Sequence, residues 1–412
     1  MNTEIENVHI DQDWLKDAVL QSVLGLLKLD GEEARIAGGA VRNALLGQPI
    51  SDIDIATTRE PQDVMDVLSA EGLKVVPTGI DHGTVTVVAD GKTFEVTTLR
   101  QDIKTDGRHA VVKFGRDWIA DARRRDFTMN ALYADADGTV HDPLSGYNDL
   151  TNGDVRFIDS AETRIREDGL RMLRFFRFFA WYGTFRPDAE GLKACVRLKD
   201  RLSGLSAERV WQELSKLLAA PDPSRAILWM RQTGVLSAIL PESEKWGIDA
   251  LVPLIETEAE LGWEPDALLR LMAIIPPRED RLDLMANRLK LPNRVRNRLS
   301  VWAANVEPDL KLKRPAFEQM LYRNDPAGIA DRLRLAIVRE RSQGNSKNAK
   351  KFAKRLSQAL KFDKPKLPVK GQDLLDAGLQ PGPEISKRLA ALEETWIKSG
   401  FELSRDELLE QL

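Results

Sequence analysis

The sequence predicts an α+β fold, with a small mixed sheet carrying helices at the N-terminal end and an all-helical body after it. Three observations predict it. The run RIAGGAVRNALLGQPISDIDIATT, residues 35–58, reads as strand, glycine turn, helix, turn and strand. Further strand-like runs follow at 74–78, 84–89 and 93–99. From about residue 221 the chain turns to helix after helix, punctuated by prolines, with no strand pattern and no internal repeat.

Taken in order, residues 13–29 place apolar side chains at helical spacing, and Asp11 or Asp13 is positioned to cap that helix. In the 35–58 run, Gly38-Gly39 opens a helix whose apolar positions are 41–46 and which Gly47 and Pro49 end. Residues 50–57 then alternate. Side chains two apart in a strand share a face, so Asp52 and Asp54 project together while Ile53 and Ile55 point into the core. Two carboxylates on one face repel unless something positive lies between them. Mg²⁺ takes one or two carboxylates plus substrate phosphates. The turn at Gly38 and Gly39 presents the free N–H groups of a helix start, which attract phosphate, and Arg42 lies one turn in. A helix is expected over 61–72, with Val64, Met65, Val67 and Leu68 inward. Asp90-Gly91 is a hairpin signal. In the strand after it, alternation puts Glu95, Thr97 and Leu99 on one face.

Residues 100–120 are polar, glycine-dotted and weakly patterned, and read as a mobile loop. The run RRRDFTMNA, residues 123–131, is the second strong motif. Arginines suit triphosphate because their donors form fixed forks. Residues 141–150 read as a turn leading out of the sheet. Residues 164–183 read as one amphipathic helix with Leu170, Leu173, Phe176, Phe179 and Ala180 on its apolar face. Asp168 and Arg171, three apart, neighbour each other on such a helix. Over 205–214, Ser206 caps a further helix that serves as a brace.

The chain has 412 residues, 42 % hydrophobic and 30 % charged, enough for two or more domains with a sizeable core. The expected divisions are 1–150, 151–220, 221–365 and 366–412. No run approaches the about 18 consecutive apolar residues of a membrane span. The N-terminal residues are polar and acidic and look like no signal peptide. A single cysteine, Cys195, excludes a disulfide framework and a cysteine-based zinc site, and suits a reducing cytoplasm. The net charge of −4 hides an asymmetry. Residues 285–370 carry 22 Lys and Arg against 7 Asp and Glu, whereas residues 371–412 carry 4 against 9. A basic stretch beside an acidic remainder points to a polyanion partner. The basic side chains include Arg288, Lys290, Arg294, Arg296, Arg298, Lys347, Lys350, Lys351, Lys354 and Arg355. Such clusters give salt-dependent, largely sequence-independent RNA affinity.

The 35–58 run resembles the nucleotide-binding signature of the class II tRNA nucleotidyltransferases, which include the CCA-adding enzymes and the bacterial poly(A) polymerases. Asn43 stands where that pattern has an aspartate. The 123–131 run resembles the family's RRDFTxNA, residues 141–150 its DPxGGxxDL with Ser145 for the first glycine, residues 167–171 its EDxxR, and residues 206–214 its SxERIxxEL. The likeness covers 30–215 and is loose beyond.

The resemblance implies an N-terminal nucleotidyltransferase domain in which Asp52 and Asp54 hold Mg²⁺. Glu95 resembles the family's third acidic position, or is an exposed strand residue. It assigns Gly38, Gly39, Arg42, Arg124, Arg125 and Asp126 to triphosphate and ribose, and Asn130 to supporting the site. Asp168 and Arg171 would read the base, with Glu167 holding the arginine. Chemistry supports that role. Cytosine and adenine each present an amino donor beside a ring-nitrogen acceptor, matched by a carboxylate and a guanidinium. Guanine and uracil put a carbonyl where the carboxylate sits.

The activity implied is repair or synthesis of the 3′-terminal CCA of tRNA from CTP and ATP, with the acceptor end bound by the basic stretch and no membrane partner. Whether all three nucleotides are added stays open. Alternatives are a poly(A) polymerase, which the uncharged residues Gln48 to Ser51 disfavour, and a non-catalytic RNA-binding protein on the same fold. No histidine lies beyond His141, so the histidine-aspartate phosphohydrolase site of some relatives is not expected.

Overall fold

The structure, a computed structural model, describes residues 8–105, 110–244 and 246–412. The reading of residues 1–7 as free of a signal peptide, and the 106–109 part of the expected loop, lie outside them. The chain divides into two compact units, 1–241 and 242–412.

Among the described residues the first unit holds nine strands: β1 (Ala34–Ala37), β2 (Ile53–Thr57), β3 (Lys74–Gly79), β4 (Thr84–Ala89), β5 (Lys92–Thr98), β6 (Arg100–Thr105), β7 (Ala110–Phe114), β8 (Tyr133–Ala134) and β9 (Val140–His141). Seven form one mixed sheet in the order β3-β4-β5-β2-β1-β8-β9. β2 and β5 run parallel, with Asp54 opposite Glu95, while β1 pairs antiparallel with β2, Ala37 opposite Asp54. Asp90 and Gly91 both take positive φ in the β4–β5 turn, as the hairpin signal predicts.

Its helices are α1 (Ala18–Leu27), α2 (Gly39–Leu45), α3 (Pro61–Ala70), α4 (Trp118–Arg123), α5 (Gly146–Asn152), α6 (Ala161–Glu167), α7 (Leu170–Tyr182), α8 (Ala189–Leu198), α9 (Ala207–Leu218), α10 (Ser224–Gln232) and α11 (Val235–Ile239). α1 buries Leu20, Val23, Leu24 and Leu27 completely, which anchors it in the core of this unit. α3 buries Val64 and Leu68, with Met65 and Val67 half-buried.

Five local expectations are corrected. The first helix is capped by Asp17, whose carboxylate accepts from Val19 and Leu20 N–H, because the 13–16 turn is a separate 3-10 segment. Residues 100–105 and 110–114 pair as a two-stranded hairpin instead of forming a loop throughout. Asp142 accepts from the N–H groups of Gly146 and Tyr147, which starts helix α5 where a turn was expected. The 164–183 helix is broken at Asp168-Gly169, where the Asp168 backbone is extended. Ser206 occupies the N-cap of α9 without a side-chain cap bond.

The second unit is helical: α12 (Leu251–Leu261), α13 (Ala267–Ile274), α14 (Glu279–Arg288), α15 (Asn293–Ala304), α16 (Arg314–Arg323), α17 (Pro326–Ser342), α18 (Ser346–Leu360), α19 (Gly371–Asp376), α20 (Pro383–Lys398) and α21 (Arg405–Leu409). One core joins α16, α17 and α18 through Phe317, Leu333, Ile337 and Phe352. A second joins Tyr322 to Leu374, Leu392, Trp396 and Leu408, so the acidic tail packs on the helical body.

Candidate active site

A cavity of about 470 Å³ opens beside the glycine turn. It is lined by Gly38, Gly39, Arg42, Asp54, Arg125, Asp126, Asn130, Asp168 and Arg171, all singled out in the sequence, and by Leu170, Arg174, Phe178 and Arg209.

Gly38 makes the turn at φ 65°, where a Cβ would lie 3.0 Å from Arg125 Nη1. The Gly38 N–H is not free for phosphate as expected, because it donates to Leu132 O at 2.9 Å. Arg42 is 8 % exposed. Its guanidinium donates to Asn130 Oδ1 at 2.5 Å, Asn43 Oδ1 at 3.0 Å and Tyr182 OH at 2.9 Å, and lies 4.4 Å over the Tyr182 ring. None of these hydrogen-bond partners is a carboxylate, which leaves positive charge for an anion. Asn43 Nδ2 donates to Pro49 O, so the departure from the family's aspartate is accommodated.

Asp54 sits in β2 and remains open to solvent at its tip. Burial of its inner side and the facing Glu95 push its carboxyl above the ordinary range; Asp52 adds to this and Arg125 opposes it. β2 begins at Ile53, so strand alternation does not place Asp52 as expected. Asp52 lies exposed just before the strand, where it accepts from Ser51 Oγ at 2.9 Å. Glu95 is exposed and, like Asp52, stands outside the cavity lining. Among the described residues, no three acidic, histidine or cysteine side chains converge into a preformed metal cage.

Asp121, which the sequence reading passed over, organises the arginine motif. It is 1 % exposed and binds Arg124 Nε at 2.7 Å, Arg125 Nη2 at 3.3 Å and the Tyr133 hydroxyl at 2.7 Å. Burial keeps the Tyr133 phenol protonated, so it donates to Asp121 and accepts from Arg125 Nε at 3.2 Å. Arg124 does not line the cavity. Asp126 is spent on the protein itself. Its Oδ1 accepts from Asn130 Nδ2 and Phe127 N, each at 2.9 Å, and its Oδ2 from Arg174 Nε at 2.6 Å.

The opposite wall comes from the helix break. Asp168 Oδ1 accepts from Leu170 N at 3.0 Å and Oδ2 from Arg209 Nη2 at 2.5 Å. Arg171 does not neighbour Asp168 on one helix surface, since Asp168 is outside the helix. Its Nη1 donates to Glu167 Oε2 at 2.5 Å and its Nη2 to Arg124 O at 3.1 Å, so Glu167 does hold the arginine. Arg174 could have been found from its place one helical turn after Arg171. Arg209 belongs to the 206–214 run that the sequence marks only as a brace; its place at the cavity comes from the packing of α9.

The expected RNA-binding residues divide. Lys347, Lys350, Lys351 and Lys354 form an exposed stripe on α18, opposite the buried Ala349, Phe352, Leu356 and Ala359. Arg294 is exposed. Arg296 donates to Asn287 Oδ1 at 2.6 Å. Arg298 is a correction: its guanidinium bridges Asp266 at 2.5 Å and Asp331 at 2.9 Å and ties α15 to α13 and α17, because packing brings two carboxylates onto it. No helix among the described residues is long and apolar enough to cross a membrane.

Residues 34–156 match the poly A polymerase head domain, and residues 184–246 match a domain described as the probable RNA and SrmB-binding site of polymerase A. The chain is 36 % identical to the mouse mitochondrial CCA tRNA nucleotidyltransferase 1, over 95 % of this chain and 88 % of that one. It is 32 % identical to a Geobacillus stearothermophilus CCA-adding enzyme, over 94 % and 95 %. The crystal structure of a Bacillus stearothermophilus CCA-adding enzyme in complex with CTP superposes with a TM-score of 0.69 at 30 % identity, covering 94 % of each chain.

Proposed function

The chain belongs to the CCA tRNA nucleotidyltransferase family, and from that membership we infer that it adds or repairs the 3′-terminal CCA of tRNA from CTP and ATP, releasing pyrophosphate. The observation that carries the reading is one cavity with Asp54, Arg42 and Arg125 on one side and Asp168 and Arg171 on the other. Chemistry-bearing carboxylate, triphosphate cations and base-reading pair are thus within one nucleotide's reach.

Asp52 and Asp54 would hold Mg²⁺, with Glu95 adding negative charge from the next strand. The donor set fits a hard divalent cation, since carboxylates crowd together and the strain falls on Asp54. Bound there, Mg²⁺ supplies Lewis acidity toward the attacking 3′-hydroxyl and the departing pyrophosphate.

The chain's own residues do the rest. Arg42 and Arg125 receive the triphosphate, in a site whose dipoles are fixed before the substrate arrives. Asp121 holds Arg124 and Arg125 in position. Asp126 and Asn130 bind each other, with Arg42 and Arg174 at either end, and shape the ribose side. Asp168 accepts from the amino group of cytosine or adenine while Arg171 donates to the adjacent ring nitrogen. The lysine stripe on α18 contributes phosphate contacts to the acceptor end.

Cytoplasmic placement belongs to the same reading. It is supported by a lone buried thiol, while the mouse relative is named as mitochondrial; cell fractionation decides between them. The test of function is incubation with Mg²⁺ and tRNA lacking CCA. Growth by CCA with both nucleotides supports the reading. A long ladder from ATP alone would replace it with poly(A) synthesis, and RNA binding without extension would leave a binding protein.

A further inference from the structure

We infer that Arg209 is a specificity-determining positioning residue, which holds the Asp168 carboxylate as a fixed acceptor for the amino group of an incoming cytosine or adenine. The inference rests on the base-reading role given to Asp168 and Arg171 above.

The helix break creates the need for it. Asp168 lies between α6 and α7 with φ −148° and ψ 110°, outside both helices, so its carboxylate is not fixed by a place on a helix face. Two elements hold it instead. Leu170 N–H binds Oδ1 at 3.0 Å, and Arg209 reaches from α9 to Oδ2 at 2.5 Å. The approach is close. A Cβ on Gly169 would lie 3.3 Å from Arg201 O, in the turn that leads into α9. Arg171 is anchored by a different set, Glu167, Arg164 O and Arg124 O. The two base-reading groups therefore have separate supports, and Arg209 serves only one of them. It also lines the cavity.

The chemical consequence is selective. The terminal torsion of an aspartate is broad, so an unheld carboxylate turns freely. A charge-assisted hydrogen bond fixes its plane. In that orientation it accepts from the amino group of C or A and meets the carbonyl of U or G lone pair to lone pair. Turned away, it no longer rejects that carbonyl. Loss of Arg209 therefore weakens rejection of U and G more than acceptance of C and A. A tie that merely braced α9 against α7 would slow all four nucleotides alike.

The experiment measures kcat and KM for CTP, ATP, UTP and GTP on tRNA lacking CCA, in wild type, Arg209→Gln, Arg209→Lys and Asp168→Ala. Arg209→Gln is expected to lower the CTP-to-UTP ratio of kcat/KM about tenfold, the scale of one charge-assisted hydrogen bond. KM for CTP rises. Arg209→Lys keeps the charge without the planar fork and gives an intermediate loss, about threefold. A parallel fall for all four nucleotides, with the ratio unchanged, overturns the inference. If Arg209→Gln does not fold, the lysine variant decides by the same ratio. Asp168→Ala separates the two levels. A ratio unmoved by Asp168→Ala defeats the base-reading assignment itself, whereas a ratio moved by Asp168→Ala and not by the Arg209 variants defeats only the role of Arg209.

Discussion

Nε of Arg174 donates to Oδ2 of Asp126 at 2.6 Å, and this bond fastens α7 to the arginine motif. Asp126 is 7 % exposed. Burial alone would push its carboxyl up, but Arg174 and Asn130 hold it below the ordinary range. A depressed carboxyl contributes its stability in full above the unfolded value and loses it as pH falls through the folded one. Wild type should therefore lose stability below about pH 4. Asp126→Asn should flatten that loss in denaturant titrations, and should lower stability at neutral pH by leaving Arg174 with only its longer ion pair to Glu213, 3.8 Å away.

Asp54→Asn should lower transfer more than about a hundredfold, the scale of removing one oriented electrostatic group. RNA affinity should not change, as gel shifts would show. Mg²⁺ should raise the melting temperature of wild type and not of the variant, because a ligand that binds the native state stabilises it. Equal Mg²⁺ responses would remove Asp54 from the metal assignment.

Neutralising Lys347, Lys350, Lys351 and Lys354 together should weaken tRNA binding and reduce its salt slope by about 0.7–0.9 for each phosphate that is no longer neutralised. Arg298→Ala should behave in the opposite sense. It takes the arginine from Asp266 and leaves Asp331, 3 % exposed, with Arg334 alone, and should lower the melting temperature while the salt slope stays as it was.

Gly38→Ala should raise KM for both nucleotides. The left-handed backbone costs about 1–2 kcal/mol with a side chain, and the new methyl would push Arg125 Nη1, 3.0 Å away, out of the cavity. Steady-state kinetics with CTP and ATP check it; an unchanged KM would mean that Arg125 does not meet the triphosphate.

The glycine turn, the alternating strands and the arginine motif were legible because each is a local pattern. Asp54 and Arg42 were found by their spacing, Arg125 and Asn130 through the family resemblance of the 123–131 run, and all four share one cavity. Asp121 was missed because its role comes from being buried between Arg124, Arg125 and Tyr133, which no window of sequence shows. The helix break at Asp168 was missed because the apolar periodicity runs straight through it. A lone glycine there did not mark an end. Arg298 was misread because charge counting cannot tell a solvated arginine from one clasped by Asp266 and Asp331.

The parallel pairing of β2 with β5 governs when the protein becomes active during folding. Asp54 and Glu95 meet only after the chain between them has made α3 and the β3–β4–β5 meander and returned to the middle of the sheet. Closing that loop precedes any reward from the contact, so it is a slow, late event. A chain still emerging from the ribosome and ending before β5 holds its glycine turn and Arg42, but neither the paired carboxylates nor Arg125, Asp168 and Arg171 on the other walls of the cavity. Such a partial chain has no nucleotide pocket, and catalysis switches on only with the completed sheet.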